Sequence, residues 1–253
     1  MDWPPCPRGR TAPWLTALCT TLTLLGCSAA ASARVPDPAS NFPEQIPPVC
    51  NATPGSVACT QAGIAELDLA RAWEGQAAYQ LPPDFLSLSG AHQMFVLTNL
   101  DREADGERTI PGTTAALDHT ALLGAAAGTD PVLHDPSVSW TANWAGGFPG
   151  VVWAYLTWMY DDGYGGPNVD CPAPGDRGCW GHRDDILARF ARGGTLEMGA
   201  AEVNGDSYAM IIAQSLPDTP VRYTYRFVSP TPPDEPATVR RAWRTWPRVV
   251  GHR

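Results

Sequence analysis

The run Val151–Tyr160, VVWAYLTWMY, is apolar nearly all the way round a helical projection. A helix with one apolar stripe can lie on a core, but one that is apolar on every side has to be enclosed. The run therefore predicts a largely buried helix with other elements wrapped around it. The flanking segments carry the opposite signal. Residues 130–150, DPVLHDPSVSWTANWAGGFPG, are broken by Pro and Gly and predict irregular backbone. Residues 161–178, DDGYGGPNVDCPAPGDRG, predict a loop.

That loop runs into one of two close cysteine pairs. With the first 33 residues set aside, Cys50, Cys59, Cys171 and Cys179 remain. An even number of cysteines in an exported chain predicts disulfides. Three connectivities are open, and proximity favours Cys50–Cys59 with Cys171–Cys179. Neither spacing suits a zinc site.

Export is predicted from the start of the sequence, where Arg8 and Arg10 precede an apolar run, WLTALCTTLTLLG, and the small residues CSAAASA. Two processing sites compete. LLGC (Leu24 to Cys27) resembles a bacterial lipobox, which would lipidate Cys27 and anchor the chain to a membrane; ASA (Ala31 to Ala33) suits cleavage before Arg34. All 17 basic residues are Arg, and Ala, Gly and Pro are abundant, which points to a GC-rich bacterial source. The first 33 residues hold Asp2, Arg8 and Arg10, so the remainder carries one unit more negative charge than the whole chain's −9. That acidity argues against a nucleic-acid partner.

The expected organisation is an export signal (1–33), a Pro-rich linker (34–60), an accessory helical segment (61–86), a main domain (87–228) and a basic, aromatic tail (229–253). The linker is expected to hold no helix, and the accessory helix is read over 64–79 from the spacing of Ile64, Leu67, Ala70 and Trp73. In the main domain, Met94, Leu97, Leu100 and Ala104 share a face of a first helix, with Asn99, Arg102 and Glu103 placed elsewhere. Residues 113–128 form a second helix ended by Gly128, and HRDDILARF a short one after the loop. TLEMGAAEV and DSYAMIIAQSL read as a hairpin across NGD, followed by the alternating strand VRYTYRFV. Helices followed by an antiparallel meander predict an α+β fold.

Several of these segments, taken in order, resemble the CAP family (cysteine-rich secretory protein, antigen 5, pathogenesis-related 1; SCP-like). VLTNLDREADG is similar to the family's L-x-N-x-x-R-x-x-x-G, and WTANWAGG to its E-N-I-A-x-G. VVWAYLTWM with GHRDDIL is similar to V-V-x-x-W-M-N-S-P-G-H-R-x-N-I-L, and LEMGAAEVNGDSYAMIIA to the closing hairpin. The likeness covers residues 87–214, about half the chain. It implies an α-β-α sandwich, an antiparallel sheet between helices, with a cleft lined by two His and two acids that in some members hold a divalent cation. Members are mostly exported and are linked to sterol or lipid binding, to interactions with other organisms and at times to proteolysis.

Carried over residue by residue, the resemblance makes His182 a cleft histidine and metal ligand, with His134, or failing that His119, as its expected partner, Asn143 as a cleft residue and Glu197 or Glu202 as an acid from the hairpin. Two departures stand out: Ala142 replaces the acid of E-N-I-A, and the Cys171–Cys179 loop is an insertion. Trp140, Trp144, Trp153, Trp158 and Trp180 fall around the cleft segments. Asp161, Asp162, Asp170 and Asp176 lack the order of a calcium loop. There is no G-x-S-x-G elbow and no cysteine left for nucleophilic catalysis. The expectation is a non-enzymatic binding module, outside the cell or at its surface, for a lipid, a cell-wall component or a protein. The alternative is a metal-dependent hydrolase built on His182, with a divalent cation as cofactor.

Overall fold

The computed structural model describes residues 36–215. The export segment with Cys27, the strand expected over 221–228 and the basic tail lie outside the described residues. The chain runs α1 (Pro48–Ala52), α2 (Val57–Trp73), a 3-10 turn (Phe85–Ser87), α3 (Gly90–Ala104), α4 (Ala115–Ala127), β1 (Ser139–Gly146), α5 (Val151–Tyr160), α6 (Gly181–Ile186), β2 (Thr195–Val203) and β3 (Ser207–Ser215). The fold is mixed α+β, with a three-stranded antiparallel sheet in the order β1-β3-β2.

Two sequence expectations are corrected, and a third feature goes beyond what the sequence showed. The Pro-rich segment 34–60 holds α1 and the first turn of α2. Proline is tolerated there because it enters at the start of α1, where its missing N–H has no helical partner to lose. Ser56 then caps α2, its Oγ accepting from Cys59 N at 3.2 Å. Residues 139–146, expected to be irregular, form β1: the prolines precede it and the glycine pair ends it, which leaves eight residues free to pair with β3. Asn99 and Arg102, placed away from the apolar face of α3, are fully buried. Asn99 exchanges two bonds with the backbone of Ile110, at 3.0 and 2.6 Å. Arg102 donates to the carbonyls of Arg108, Ile186 and Ala188.

The hairpin β2–β3 turns through the three residues Asn204, Gly205 and Asp206, the first two left-handed (φ 56° and 76°). One face of the sheet, with Ala142, Ala201, Ala209, Ile211 and Ala213, packs on Leu117, Ala121 and Ala125 of α4. Four of these five sheet residues are alanine, and the helix comes very near: a Cβ on Gly199 would lie 2.0 Å from the backbone carbon of Leu117. The other face, with Met198, Ala200, Tyr208, Met210 and Ile212, packs on α3 and α5. As its composition predicts, every residue of α5 is buried.

The segment read as accessory is tied to this body by buried polar contacts. Arg71 of α2 pairs with Asp101 of α3, whose Oδ2 also accepts from Tyr79 and Tyr155, each at 2.7 Å. Glu74 pairs with Arg183 of α6 at 2.9 Å. Cys50–Cys59 and Cys171–Cys179 are both bonded, the pairing that proximity favours. Two disulfides are compatible with an extracellular protein, and no described helix is long and apolar enough to cross a membrane.

Candidate functional site

A cavity of about 430 Å³ opens between the end of α4, the end of β1, α5, the loop 162–170 and the start of α6. Trp144, Phe148 and Trp158 supply apolar walls; Asp130, Asp162, Asp170 and His182 supply the ionisable groups. Each arrives for a local reason. Asp130 follows the left-handed C-cap Gly128 of α4 (φ 69°), and Asp162 lies just past the end of α5. Asp170 precedes Cys171, the first cysteine of the stapled loop. Trp180 takes a left-handed conformation (φ 63°) that turns the chain into α6, and His182 follows in the first turn.

His182 is gripped on several sides. The fully buried Asp162 accepts from its backbone N–H at 2.9 Å through Oδ2 and lies 2.6 Å from its ring Nδ1 through Oδ1. The Trp158 ring stacks on the imidazole, with centroids 6.3 Å apart and planes 26° from parallel. Asn143 Nδ2 donates to the His182 carbonyl at 2.8 Å, and Thr141 Oγ1 to that of Asp185 at 2.9 Å, which fastens α6 to β1. Arg183 points the other way, into Met159 O and Glu74.

The charges reinforce one another. Burial works against a charged His182, but the hydrogen bond and charge of Asp162, aided by Asp130 and Asp185, outweigh it and push the imidazole pKa up. Burial likewise pushes Asp162 up against the pull of His182. The pair thus holds a shared proton more firmly than either group alone. Asp185 is raised to about 7 by burial and by the neighbouring Asp130 and Asp162, which together exceed the opposing effect of His182. Asp130 is raised, chiefly by partial desolvation, although its side chain remains exposed.

Of the residues expected at the site, His182 is there. His134 is not: it is exposed in the segment before β1 and does not line the cavity, whereas Asp130, four residues earlier, does. Asn143 is fully buried beneath the site and holds the backbone of α6. Glu197 is buried on β2 opposite Ala213, on the face turned to α4, and does not line the cavity either. Ala142, where the resemblance expects an acid, also faces α4. Among the tryptophans, Trp144 and Trp158 are wall residues, while Trp153 is buried against the Cys50–Cys59 disulfide. Asp130 gave no sequence signal as a site residue, and Asp162 and Asp170 showed only as members of an acidic loop.

One nitrogen of His182 and one carboxylate oxygen each from Asp130 and Asp170 lie within 4.8 Å of one another. Since Nδ1 is engaged by Asp162, Nε2 is the nitrogen left for a ligand. One imidazole and two carboxylates, with a buried carboxylate behind the imidazole, form a donor set that fits a divalent cation such as Mn²⁺ or Zn²⁺. No family model, curated protein or solved structure matches this chain.

Proposed function

We propose that this is an exported binding module of the CAP type, an α-β-α sandwich acting outside the cell or at its surface, with the cleft around His182 as its ligand site. The observation that carries the reading is the cavity itself, in which aromatic walls meet one imidazole and several carboxylates. Among a lipid, a cell-wall component and a protein, this lining favours a wall glycan. Indole faces suit the apolar faces of sugars, and carboxylates accept from sugar hydroxyls. An anionic lipid headgroup would meet Asp130 and Asp170 and would need a cation in between.

Co-sedimentation of the purified protein with insoluble peptidoglycan, and separately with phosphatidylglycerol vesicles, tests this. Wild-type protein is expected to pellet with the wall. Trp144→Ala and His182→Gln should bind at least about tenfold more weakly, the loss of one good contact. Wild-type protein that stays in solution with both probes refutes the reading.

A metal-dependent hydrolase is the second reading, favoured by the convergence of Asp130, Asp170 and His182. It requires that Zn²⁺ or Mn²⁺ bind the wild type, that His182→Gln abolish this binding, and that the loaded protein release soluble fragments from the same wall preparation.

A further inference from the structure

We infer that Asp162 is a positioning residue that holds His182 in the tautomer with its proton on Nδ1, so that Nε2 faces the cleft as an acceptor and cation ligand. This rests on the reading of His182 as the ligand-binding group of the cleft. The carboxylate of Asp162 is fully buried. Its Oδ2 is occupied by the His182 backbone N–H, an obligate donor, at 2.9 Å. Its Oδ1 lies 2.6 Å from Nδ1. A carboxylate has only acceptors to offer, so an unprotonated Nδ1 at that distance would set lone pair against lone pair. Nδ1 therefore carries the hydrogen.

The surroundings keep the pair in register. The Asp162 carbonyl accepts from Trp180 N and from Asn168 Nδ2, both at 3.0 Å. The stacked Trp158 ring opposes rotation of the imidazole. With Nδ1 fixed, neutral His182 turns a lone pair into a cavity where the ionised carboxylates of Asp130 and Asp170 offer only acceptors. Such a cleft selects metal cations, ammonium groups and hydroxyl donors, and repels anions.

Asp162→Asn reverses this arrangement without changing its shape. The single amide oxygen must accept the His182 backbone N–H, so the NH₂ group faces Nδ1 and drives the ring proton to Nε2. The experiment is ¹⁵N NMR of the histidine-labelled full chain at about pH 9, where the ring is neutral, with the His182 signals assigned by their loss in His182→Gln. The wild type should show a protonated Nδ1 and an unprotonated Nε2. Asp162→Asn should show the reverse and bind Zn²⁺ about 10- to 100-fold more weakly, as for loss of a carboxylate behind a ligating histidine. A wild-type ring protonated on Nε2 overturns the inference even if Asp162→Asn does not fold, and so does a tautomer unchanged in a folded Asp162→Asn. If the tautomers behave as stated but Zn²⁺ does not bind the wild type, the positioning role stands and the cation reading of the cleft fails.

Discussion

Replacing Asp101 with Ala should come close to unfolding this protein, because Asp101 is the buried polar anchor between α2, the segment after it, α3 and α5. The carboxylate is 2% exposed and takes three donors: Arg71 Nη1, the Tyr79 hydroxyl and the Tyr155 hydroxyl. Stripping the partner from a buried guanidinium costs about 3–5 kcal/mol. Two buried hydroxyls left without an acceptor add about 1–3 kcal/mol each. Arg71 keeps its Nε bond to Ala77 O at 2.6 Å, and water entering the gap will meet part of the rest. A net loss of about 4–6 kcal/mol follows, set against a total stability of about 5–15 kcal/mol. Asp101→Asn keeps the shape and an acceptor for the tyrosines but loses the charge, and should cost about half as much. The assay is thermal and urea unfolding followed by tryptophan fluorescence, where about 4 kcal/mol is a fall in Tm of roughly 8–16 °C for a domain of this size. Arg71→Met combined with Asp101→Leu should recover much of the loss, since removing both charges costs less than stranding one. If Asp101→Ala melts within about 2 °C of the wild type, the network does not hold α2 to the body.

Glu44 gives a pH test. Burial, then the charges of Asp161 and Glu66, raise its pKa from 4.5 to about 7, so the folded state keeps a proton that the unfolded state releases. Stability from this group is therefore full below about pH 4.5, declines as the pH rises through about 7 and is level above. Because Glu44 is only partly buried, screening reduces the effect to about 1 kcal/mol. Glu44→Gln should flatten the slope of Tm between pH 5 and 8; an unchanged slope rules out this assignment. The two disulfides separate stability from binding. Cys50→Ser/Cys59→Ser and Cys171→Ser/Cys179→Ser should each lower stability by roughly 2–3 kcal/mol. Only the second pair frees Asp170, beside Cys171, and should weaken Zn²⁺ binding about tenfold. Equal Zn²⁺ affinity in the two double variants would remove Asp170 from the site.

The elements most legible in the sequence are those written in local periodicity or capping. α5 is apolar all round and buried throughout; α4 stops at Gly128 as its glycine predicts; the β2–β3 hairpin turns at Asn204 and Gly205. β1 was not legible because its pairing is with β3, about seventy residues later, and its own eight residues sit between Pro and Gly signals that read as loop. The burial of Asn99 and Arg102 was not legible for a related reason. Polar residues on a helix read as solvent-facing until the carbonyls that accept from them are known, and those of Ile186 and Ala188 lie more than eighty residues away in sequence from Arg102.

The same logic bears on what Ala142 means. Read along the chain, an alanine where an acid is expected looks like the loss of half a binding site. In the fold, position 142 points under α4, among Ala201, Ala209 and Ala213, so an acid there would be buried against a helix away from His182. The carboxylates that do meet His182 enter from the turn after α4, the end of α5 and the residue before the disulfide loop, three places with no shared spacing. The disulfide is therefore tied to the candidate site, since Asp170, which comes near the imidazole, directly precedes Cys171. A cleft assembled from loop ends in this way takes its acids from positions that no spacing along the chain connects, so its chemistry has to be read from contacts.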